Sequence, residues 1–397
     1  MSKVNDTPAV LQSPLTACPG CGSMPLGERL FLPQLPVILN YRFATKEAAQ
    51  NVALRDLELR ECNHCGLVFN AILDAASIPY DELYENRQNF SSGFLTMLQQ
   101  TADGLSKRYK LEGGTVLEVG CGKGDFLQLL CDRSKAQGLG YDTSCEKTGP
   151  SAGGRVCFFQ RYVTPVDVKT KVDLVVCRHV VEHVPEIGEF FCLLHDIAIA
   201  GGSSAVYIET PTLEWIVDHA AFWDVFYEHC NYFTMHTLRK LAEKAGFAIL
   251  DQRLIFGDQY QALELRPNSK ANSPPPSRCN NNGRMLRRLA DCLANSRENV
   301  TARLEKAGAQ NGWAVWGAGA KGVSLTHAMS DHPPKFVIDS NPAKQGMFLP
   351  GTGIPVVAPD DPKVSSIPVI IVANANYLPE IHSTLAQRNC TAQLLPL

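Results

Sequence analysis

Glu228 and His229 stand side by side inside an aromatic segment that runs from Phe222 to Phe233. A histidine beside a carboxylate has its basicity tuned near neutrality and can take a proton from a reacting group. The competing reading of the segment is an aromatic helix cap whose histidine is only hydrogen-bonded. A second pair, His179 and His183, follows the strand-like run Val172 to Arg178 with His-x-x-x-His spacing. On a helix that spacing puts both imidazoles on one face, which suits a metal when a third ligand is at hand, and no clear third ligand stands nearby. Metal chemistry is better served by Cys18-Pro-Gly-Cys21-Gly and Cys62-Asn-His-Cys65-Gly. Each knuckle presents two thiolates from one tight turn, and two knuckles complete a tetrahedral set for zinc. Cys18, Cys21, Cys62 and Cys65 fill that shell, so the zinc is expected to be structural and His64 a neighbour. A redox role for the two CxxC pairs is the alternative.

These groups need a scaffold that brings them together, and the stretch Thr115 to Leu130, TVLEVGCGKGDFLQLL, supplies its centre. Val116, Leu117 and Val119 read as a buried strand, and Phe126, Leu127, Leu129 and Leu130 as a helix with Asp125 in its first turn. Between them lie Gly120, Gly122 and Gly124. Glycine lets backbone approach a ligand, and a helix start offers free N–H groups. Glu118 sits at the strand end, where a dinucleotide fold usually has apolar residues. The next strand-like run, Gly138 to Tyr141, ends in Asp142, placed to accept from ribose hydroxyls. Further strands are expected at 157–163, 172–178 and 205–208, with helices at 186–200 and 235–246. Phe247 to Ile255 and Tyr260 to Leu265 suit an antiparallel hairpin that closes the sheet. Ligands in such sheets bind beyond the carboxyl ends of the strands, which puts His179 and His183 at the mouth of the site.

Before this core, Val37 to Leu39 and Ala53 to Leu59 are expected to be strands that return the chain between the knuckles. Residues 76–110 look helical, with Tyr80, Tyr84, Phe90 and Phe94 near helical spacing. They form either a packing stripe or, through Tyr80, Tyr84 and Ser91, a wall of the substrate pocket. Residues 267–283, rich in proline, asparagine and serine, read as a linker. A helix is expected from Arg284 to about Gln310. A second strand, glycine turn and helix start follows at Trp313-Ala-Val-Trp-Gly317-Ala-Gly319-Ala-Lys321-Gly322, then strands at 336–339 and 369–373. This unit reads as a small Rossmann-like domain. An NAD site is one reading of its turn. An anion cradle, with turn amides and Lys321 facing a phosphate, is preferred because a lysine-bearing loop follows Asp339.

The chain has 397 residues, 45% hydrophobic and 19% charged, enough for two or three soluble domains. A net charge of −3 without a basic block argues against nucleic acid as a partner. No apolar run reaches membrane-spanning length, and MSKVNDTPAV lacks the apolar core of a signal peptide. With 14 cysteines, the expectation is a reducing, cytoplasmic setting in which some cysteines bind metal. Cys121 and Cys177 are read as core fillers.

The run E-V-G-C-G-K-G resembles motif I of class I S-adenosylmethionine (SAM) methyltransferases. The whole order resembles the zinc-containing sugar C-methyltransferases: a four-cysteine module, a SAM core with Tyr-Glu-His, and a C-terminal unit with GAGAKG and DSNPAKQGMFLPGTGIP. The resemblance implies an α/β fold with a class I SAM methyltransferase core at 111–266. A zinc-binding module at 1–75 and a helical linker at 76–110 would precede it, and a Rossmann-like substrate domain at 267–397 would follow. It implies SAM as cofactor, held by Glu118, Gly120, Gly122, Gly124, Asp142 and His179. It implies methylation at C3 of a deoxythymidine-diphosphate 4-keto sugar, and Tyr80, Tyr84, Ser91, Tyr227 and Lys321 are the expected substrate contacts. Carried over by motif, His183 falls on the family's active-site histidine and Glu228-His229 on its Glu-His pair. His229 would then remove the C3 proton, with Glu228 orienting it and the ketone holding the enolate. Three departures stand out. Motif I lacks the family's Asn-Asp-Gly, Phe226 replaces a tyrosine three positions before His229, and Gly257-Asp258-Gln259 replaces a glycine-rich turn. They leave oxygen or nitrogen methylation open as an alternative, beside a SAM-binding protein without turnover. A small-molecule substrate is the expected partner, and the protein a monomer or homodimer.

Overall fold

The computed structural model describes residues 14–397 except 82, 86, 88, 147, 152 and 269–283. The expected tail (residues 1 to about 16) and the expected linker at 267–283 fall largely outside the described residues. The largest sheet has eight strands. Their order across it is Phe247–Ile255, Tyr260–Pro267, Ala205–Pro211, Leu174–Arg178, Thr115–Val119, Gln137–Tyr141, Val156–Phe159 and Gly149–Pro150. Val116, Leu117, Leu174 to Cys177 and Ala205 to Ile208 are buried. Strands covered on both faces read as continuous apolar runs, and these pair in parallel as that pattern requires. The final hairpin is antiparallel and inserts Tyr260–Pro267 beside Ala205–Pro211. The order reverses between Thr115–Val119 and Leu174–Arg178, and a crevice opens there.

A smaller parallel sheet lies towards the C-terminus. Its order is Val356–Val357, Phe336–Ile338, Trp313–Trp316, Val369–Val372 and Gln393–Pro396. It reverses between Trp313–Trp316 and Val369–Val372. The helix Ala320–Ala328 packs tightly onto the glycine turn, because a Cβ on Gly322 would lie 1.9 Å from the Gly317 carbonyl oxygen. The helical run expected over 284–310 is two helices, Arg284–Ala294 and Ser296–Lys306, which break at Asn295.

The third sheet pairs Leu26–Pro36 with Leu54–Cys62, then Val68–Asn70, then Asn231–Tyr232. Its last strand comes from the segment just after His229. The strand expected at Val37 to Leu39 is a buried bend beyond Pro36, and the Leu39 N–H donates to Glu228 Oε1 at 2.7 Å. The helix expected over 76–110 begins only at Ser92, where Ser91 caps Ser92–Tyr109 by accepting from the Phe94 N–H. Tyr80 follows Pro79 in irregular backbone and Tyr84 is held by the Tyr41–Tyr84 bridge, so both tyrosines reach inward from a loop. No helix among the described residues is long and apolar enough to cross a membrane.

Candidate active site

Both sheet reversals open on one cavity of about 750 Å³. Val119, Gly120, Arg178 and His179 border it from the large sheet, and Trp316, Gly317, Val372 and Asn374 from the small one. The loop carrying Tyr80 and Tyr84 and the segment carrying Phe226, Glu228 and His229 line it between them.

At the large-sheet end, Asp142 organises the glycine turn. Its Oδ2 accepts from the Gly122 N–H at 2.8 Å, and its Oδ1 from the Ser144 N–H and hydroxyl, each at 2.7 Å. Gly120 and Gly122 take positive φ values of +71° and +54°, as the turn requires. Glu118 is buried against the cavity with Oε2 unpartnered, and burial lifts its carboxyl to about 8. A buried carboxyl oxygen without a partner beside the cavity fits a ligand carrying a hydroxyl or ammonium group, while the Gly120, Cys121 and Gly122 N–H groups of the turn are spent on the Tyr141 carbonyl and Asp142. Gly124 does not line the cavity as expected. It serves packing, since a Cβ there would meet the Phe158 ring at 2.3 Å. His179 faces the cavity, held between Glu209 at 3.0 Å and Glu182 at 3.4 Å. Burial opposes its charge, but the two carboxylates outweigh burial and raise it to about 9.

His179 and His183 do not share a helical face. His179 adopts a φ of +52°, and only a short turn, Val181–His183, follows. His183 points instead to the aromatic loop. Its Nδ1 lies 2.9 Å from the Tyr80 hydroxyl and 3.1 Å from the Glu228 backbone carbonyl oxygen. His229 stands edge-on to the His183 ring, with centroids 4.8 Å apart, and to Phe226 at 4.7 Å. Burial, then the neighbouring His183, hold His229 well below the ordinary histidine range, so it is neutral near pH 7 and able to accept a proton. Glu182, His183 and His229 place ligand-type atoms within 4.8 Å of one another, but the Glu182 oxygens already serve Thr210 and His179.

The expected pairing of Glu228 with His229 is not formed. The Glu228 carboxylate accepts from the Leu39 N–H and from the Tyr84 hydroxyl, both at 2.7 Å. Burial raises its carboxyl from 4.5 to about 7, against both hydrogen bonds. The protonated form is therefore favoured by folding. Its stabilisation is full below pH 4.5 and is lost as pH rises through about 7. Ionised Glu228 then costs about 3 kcal/mol. Glu228→Gln removes that cost, so the Tm of the variant relative to the parent is expected to rise between pH 5 and pH 8. A Tm difference that is the same at both pH values contradicts this.

At the small-sheet end, Lys321 borders the cavity, but its ammonium is not free as the sequence led us to expect. It is bound by both carboxylate oxygens of Asp224 and lies 5.1 Å from the Trp215 ring centroid. Burial lowers Lys321, and Asp224 partly restores it. The Asp339 carboxylate accepts from the Ala318 N–H at 2.6 Å and so braces the turn. Ser91 reaches the wall, where its hydroxyl donates to Glu380 Oε2 at 2.9 Å. Tyr227 is turned away. It is 1% exposed, and its hydroxyl accepts from the Asp74 N–H at 2.9 Å. Phe226, Glu228 and His229 line the cavity, while Tyr227 turns to the core. Sequence reading missed Trp316, Asn374, Tyr377 and the hairpin turn residue Gln259. A signal was present for the first two, since each lies at the carboxyl end of a strand of the second unit.

The four predicted zinc ligands do come together. Cys18 and Cys65 Sγ are 3.7 Å apart, and Cys21 and Cys62 Sγ 3.5 Å. Tetrahedral thiolates on one zinc would be about 3.8 Å apart. The glycine after each knuckle is explained by its backbone. Gly22 and Gly66 have φ of +78° and +79° and close the turns by donating to the Cys18 and Cys62 carbonyls. The knuckles also dock on the large sheet's layer, where a Cβ on Gly188 would lie 2.7 Å from the Gly20 carbonyl oxygen.

Comparison with known proteins agrees with this topology. Residues 95–252 match the family model described as a methyltransferase domain, and residues 280–392 the one described as a C-methyltransferase C-terminal domain. The C-methyltransferase NovU of Streptomyces niveus is 27% identical over 233 residues, which cover 52% of this chain and 52% of that protein. The chain thus spans about half the length of the curated relative it matches. Solved structures give weaker likenesses. Magnesium protoporphyrin IX methyltransferase of Synechocystis PCC 6803 is 17% identical with a TM-score of 0.35, covering 44% of this chain and 84% of that one. The 1,6-didemethyltoxoflavin-N1-methyltransferase of Burkholderia thailandensis is 16% identical with a TM-score of 0.35, covering 45% and 82%. Neither likeness bears on substrate or mechanism. The strand order is that of a class I methyltransferase fold over the residues that the methyltransferase-domain model matches, and the C-methyltransferase C-terminal-domain model matches the unit that follows.

Proposed function

We propose that the protein is a SAM-dependent C-methyltransferase acting on a nucleotide-linked 4-keto deoxysugar, with His229 as the base. The observation that carries this reading is the placement of His229. It is a neutral imidazole in an aromatic setting, facing a cavity shared by the methyltransferase sheet and the C-terminal sheet. When bound, SAM supplies an electrophilic methyl group. Glu118, the Gly120–Gly122 turn and Asp142 would hold it, and the unpartnered Glu118 oxygen and the close backbone approach that the turn glycines allow fit that task. His229 takes the proton from the carbon next to the ketone. His183, fixed through Nδ1 by Tyr80 and the Glu228 carbonyl, holds the His229 ring in place. The diphosphate would lie at the start of helix Ala320–Ala328, where turn amides favour an anion and Lys321 adds charge once Asp224 releases it.

The sequence-based domain division at 1–75, 76–110, 111–266 and 267–397 is kept within this proposal, as are structural zinc on the four cysteines, a monomer or homodimer, and a cytoplasmic setting. Asp142→Ala is expected to weaken SAM binding about 10- to 100-fold, because the Gly122 amide and the Ser144 loop lose their common acceptor. Calorimetric titration checks this, and unchanged affinity contradicts the cofactor assignment. Phe226 beside His229 carries no hydroxyl to steady an enolate, which favours oxygen or nitrogen as acceptor in the second reading. A mass-spectrometric assay with SAM and a panel of nucleotide 4-keto and 4-hydroxy sugars, with NMR of the product, decides between them. A methyl on carbon supports the first reading, and one on oxygen or nitrogen the second.

A further inference from the structure

Cys121 and Cys145 bring their sulfurs to 3.7 Å at the cofactor end of the cavity. Among the described residues, sulfur pairs this close occur only here and in the four-cysteine cluster. Cys121 sits between Gly120 and Gly122 and lines the cavity, and Cys145 lies in the loop that Asp142 ties to Gly122. Cys145 Sγ is 3.4 Å from the Gly122 carbonyl oxygen, so the two loops are stitched together around these sulfurs. The strand behind makes room for them, since a Cβ on Gly140 would lie 2.9 Å from Cys121 Sγ. Lys123 is tucked beside the pair and donates to the Ser144 carbonyl at 2.9 Å. An ammonium near a thiol favours the thiolate, the reactive form, and Cys145 is held below the usual thiol range mainly by its contact with Cys121, with Lys123 adding to it.

We propose that Cys121 and Cys145 are an oxidative modification site, at which a peroxide closes a disulfide across the two cofactor-binding loops and lowers SAM affinity. One thiolate attacks hydrogen peroxide. An S–O bond forms, the O–O bond breaks, and the departing hydroxide takes the thiol proton to leave as water. The second thiol then attacks that sulfur. The S–S bond forms, the S–O bond breaks, and a second water leaves with the remaining proton. Two thiols and one peroxide give one disulfide and two waters, with sulfur oxidised and peroxide reduced. The sulfurs must close from 3.7 Å to about 2.0 Å. The flanking glycines let the turn move, and the move strains the Gly122–Asp142 tie between the two loops at the cofactor end of the cavity. The effect on SAM rests on the cofactor assignment proposed above; the disulfide itself does not.

The test treats the full-length, zinc-loaded protein with hydrogen peroxide and follows three readouts. These are the linked peptides containing Cys121 and Cys145 by mass spectrometry, SAM affinity by calorimetry, and zinc release by a colorimetric chelator. The linked peptide is expected to form, with SAM affinity falling at least about tenfold and returning on reduction with dithiothreitol. Cys145→Ser, with Cys145→Ala as a second variant, is expected to keep its SAM affinity in peroxide. Two thiols that stay free to alkylation overturn the site. A disulfide that leaves affinity unchanged overturns the effect on SAM. Affinity loss that tracks zinc release equally in parent and variants assigns the sensitivity to the cysteine cluster and overturns the proposal. A parent that forms the link in peroxide but does not bind SAM even before treatment overturns the cofactor assignment alone.

Discussion

His229→Ala is expected to lower the rate of methyl transfer by about 100- to 10,000-fold, the usual range for loss of a positioned base. SAM affinity should stay within about threefold of the parent. The split follows from position. His229 makes its ring contacts with His183, Phe226 and Tyr232, and neither the glycine turn nor Asp142 is among them. The pH profile carries a second signature. Burial and His183 hold His229 well below the ordinary histidine range, so the base stays unprotonated through neutrality. The acid limb of the kcat/KM profile assigned to this group should therefore fall below the pH at which an ordinary histidine titrates. Single-turnover assays on parent and variant check both points. A variant that loses SAM binding in proportion to rate would make His229 a cofactor-site residue instead.

Cys62→Ser is expected to disable the site from a distance. Loss of one thiolate leaves three ligands, and zinc binding supplies about 10 to 16 kcal/mol of folding free energy in small modules of this kind. That is as large as the whole stability of a typical domain, so the knuckle module should unfold. The consequence reaches the active site through the backbone. Val68–Asn70 pairs with Asn231–Tyr232, and the Asn70 N–H donates to the Cys230 carbonyl at 2.9 Å, one residue from His229. The Leu39 N–H and Tyr84 hold the Glu228 carboxylate from the same side. Activity is thus expected to fall at least about 100-fold, with a lower Tm and with SAM binding partly retained by the large sheet. Zinc analysis, differential scanning calorimetry and a transfer assay on one preparation check this. Full zinc occupancy in the folded variant would contradict the ligand assignment, and full activity without zinc would contradict the coupling.

The two glycine turns and their strands were legible because parallel strands buried on both faces leave continuous apolar runs, and because tight turns demand glycine at fixed positions. The cysteine knuckles were legible for a similar reason, since metal geometry constrains spacing within each turn. What escaped was set by contacts distant in sequence. Tyr80 and Tyr84 have helical spacing, yet Tyr80 follows Pro79 in irregular backbone and the bridge from Tyr41 holds Tyr84 in a loop. Glu228 neighbours His229 in the chain, but its partners are Leu39, 189 residues away, and Tyr84, 144 residues away. Lys321 reads as a phosphate ligand until Asp224, 97 residues earlier, is seen to hold it. Local pattern carries elements and motifs, while tertiary contacts decide where each side chain points.

The proposed chemistry requires His229 to remove a proton from carbon. Incubating the enzyme in deuterium oxide with a nucleotide 4-keto sugar and S-adenosylhomocysteine, and following the C3 proton by NMR, tests it most directly. The parent is expected to exchange that proton and His229→Ala to lose the exchange. An active enzyme that methylates its substrate without ever exchanging the C3 proton would contradict the account.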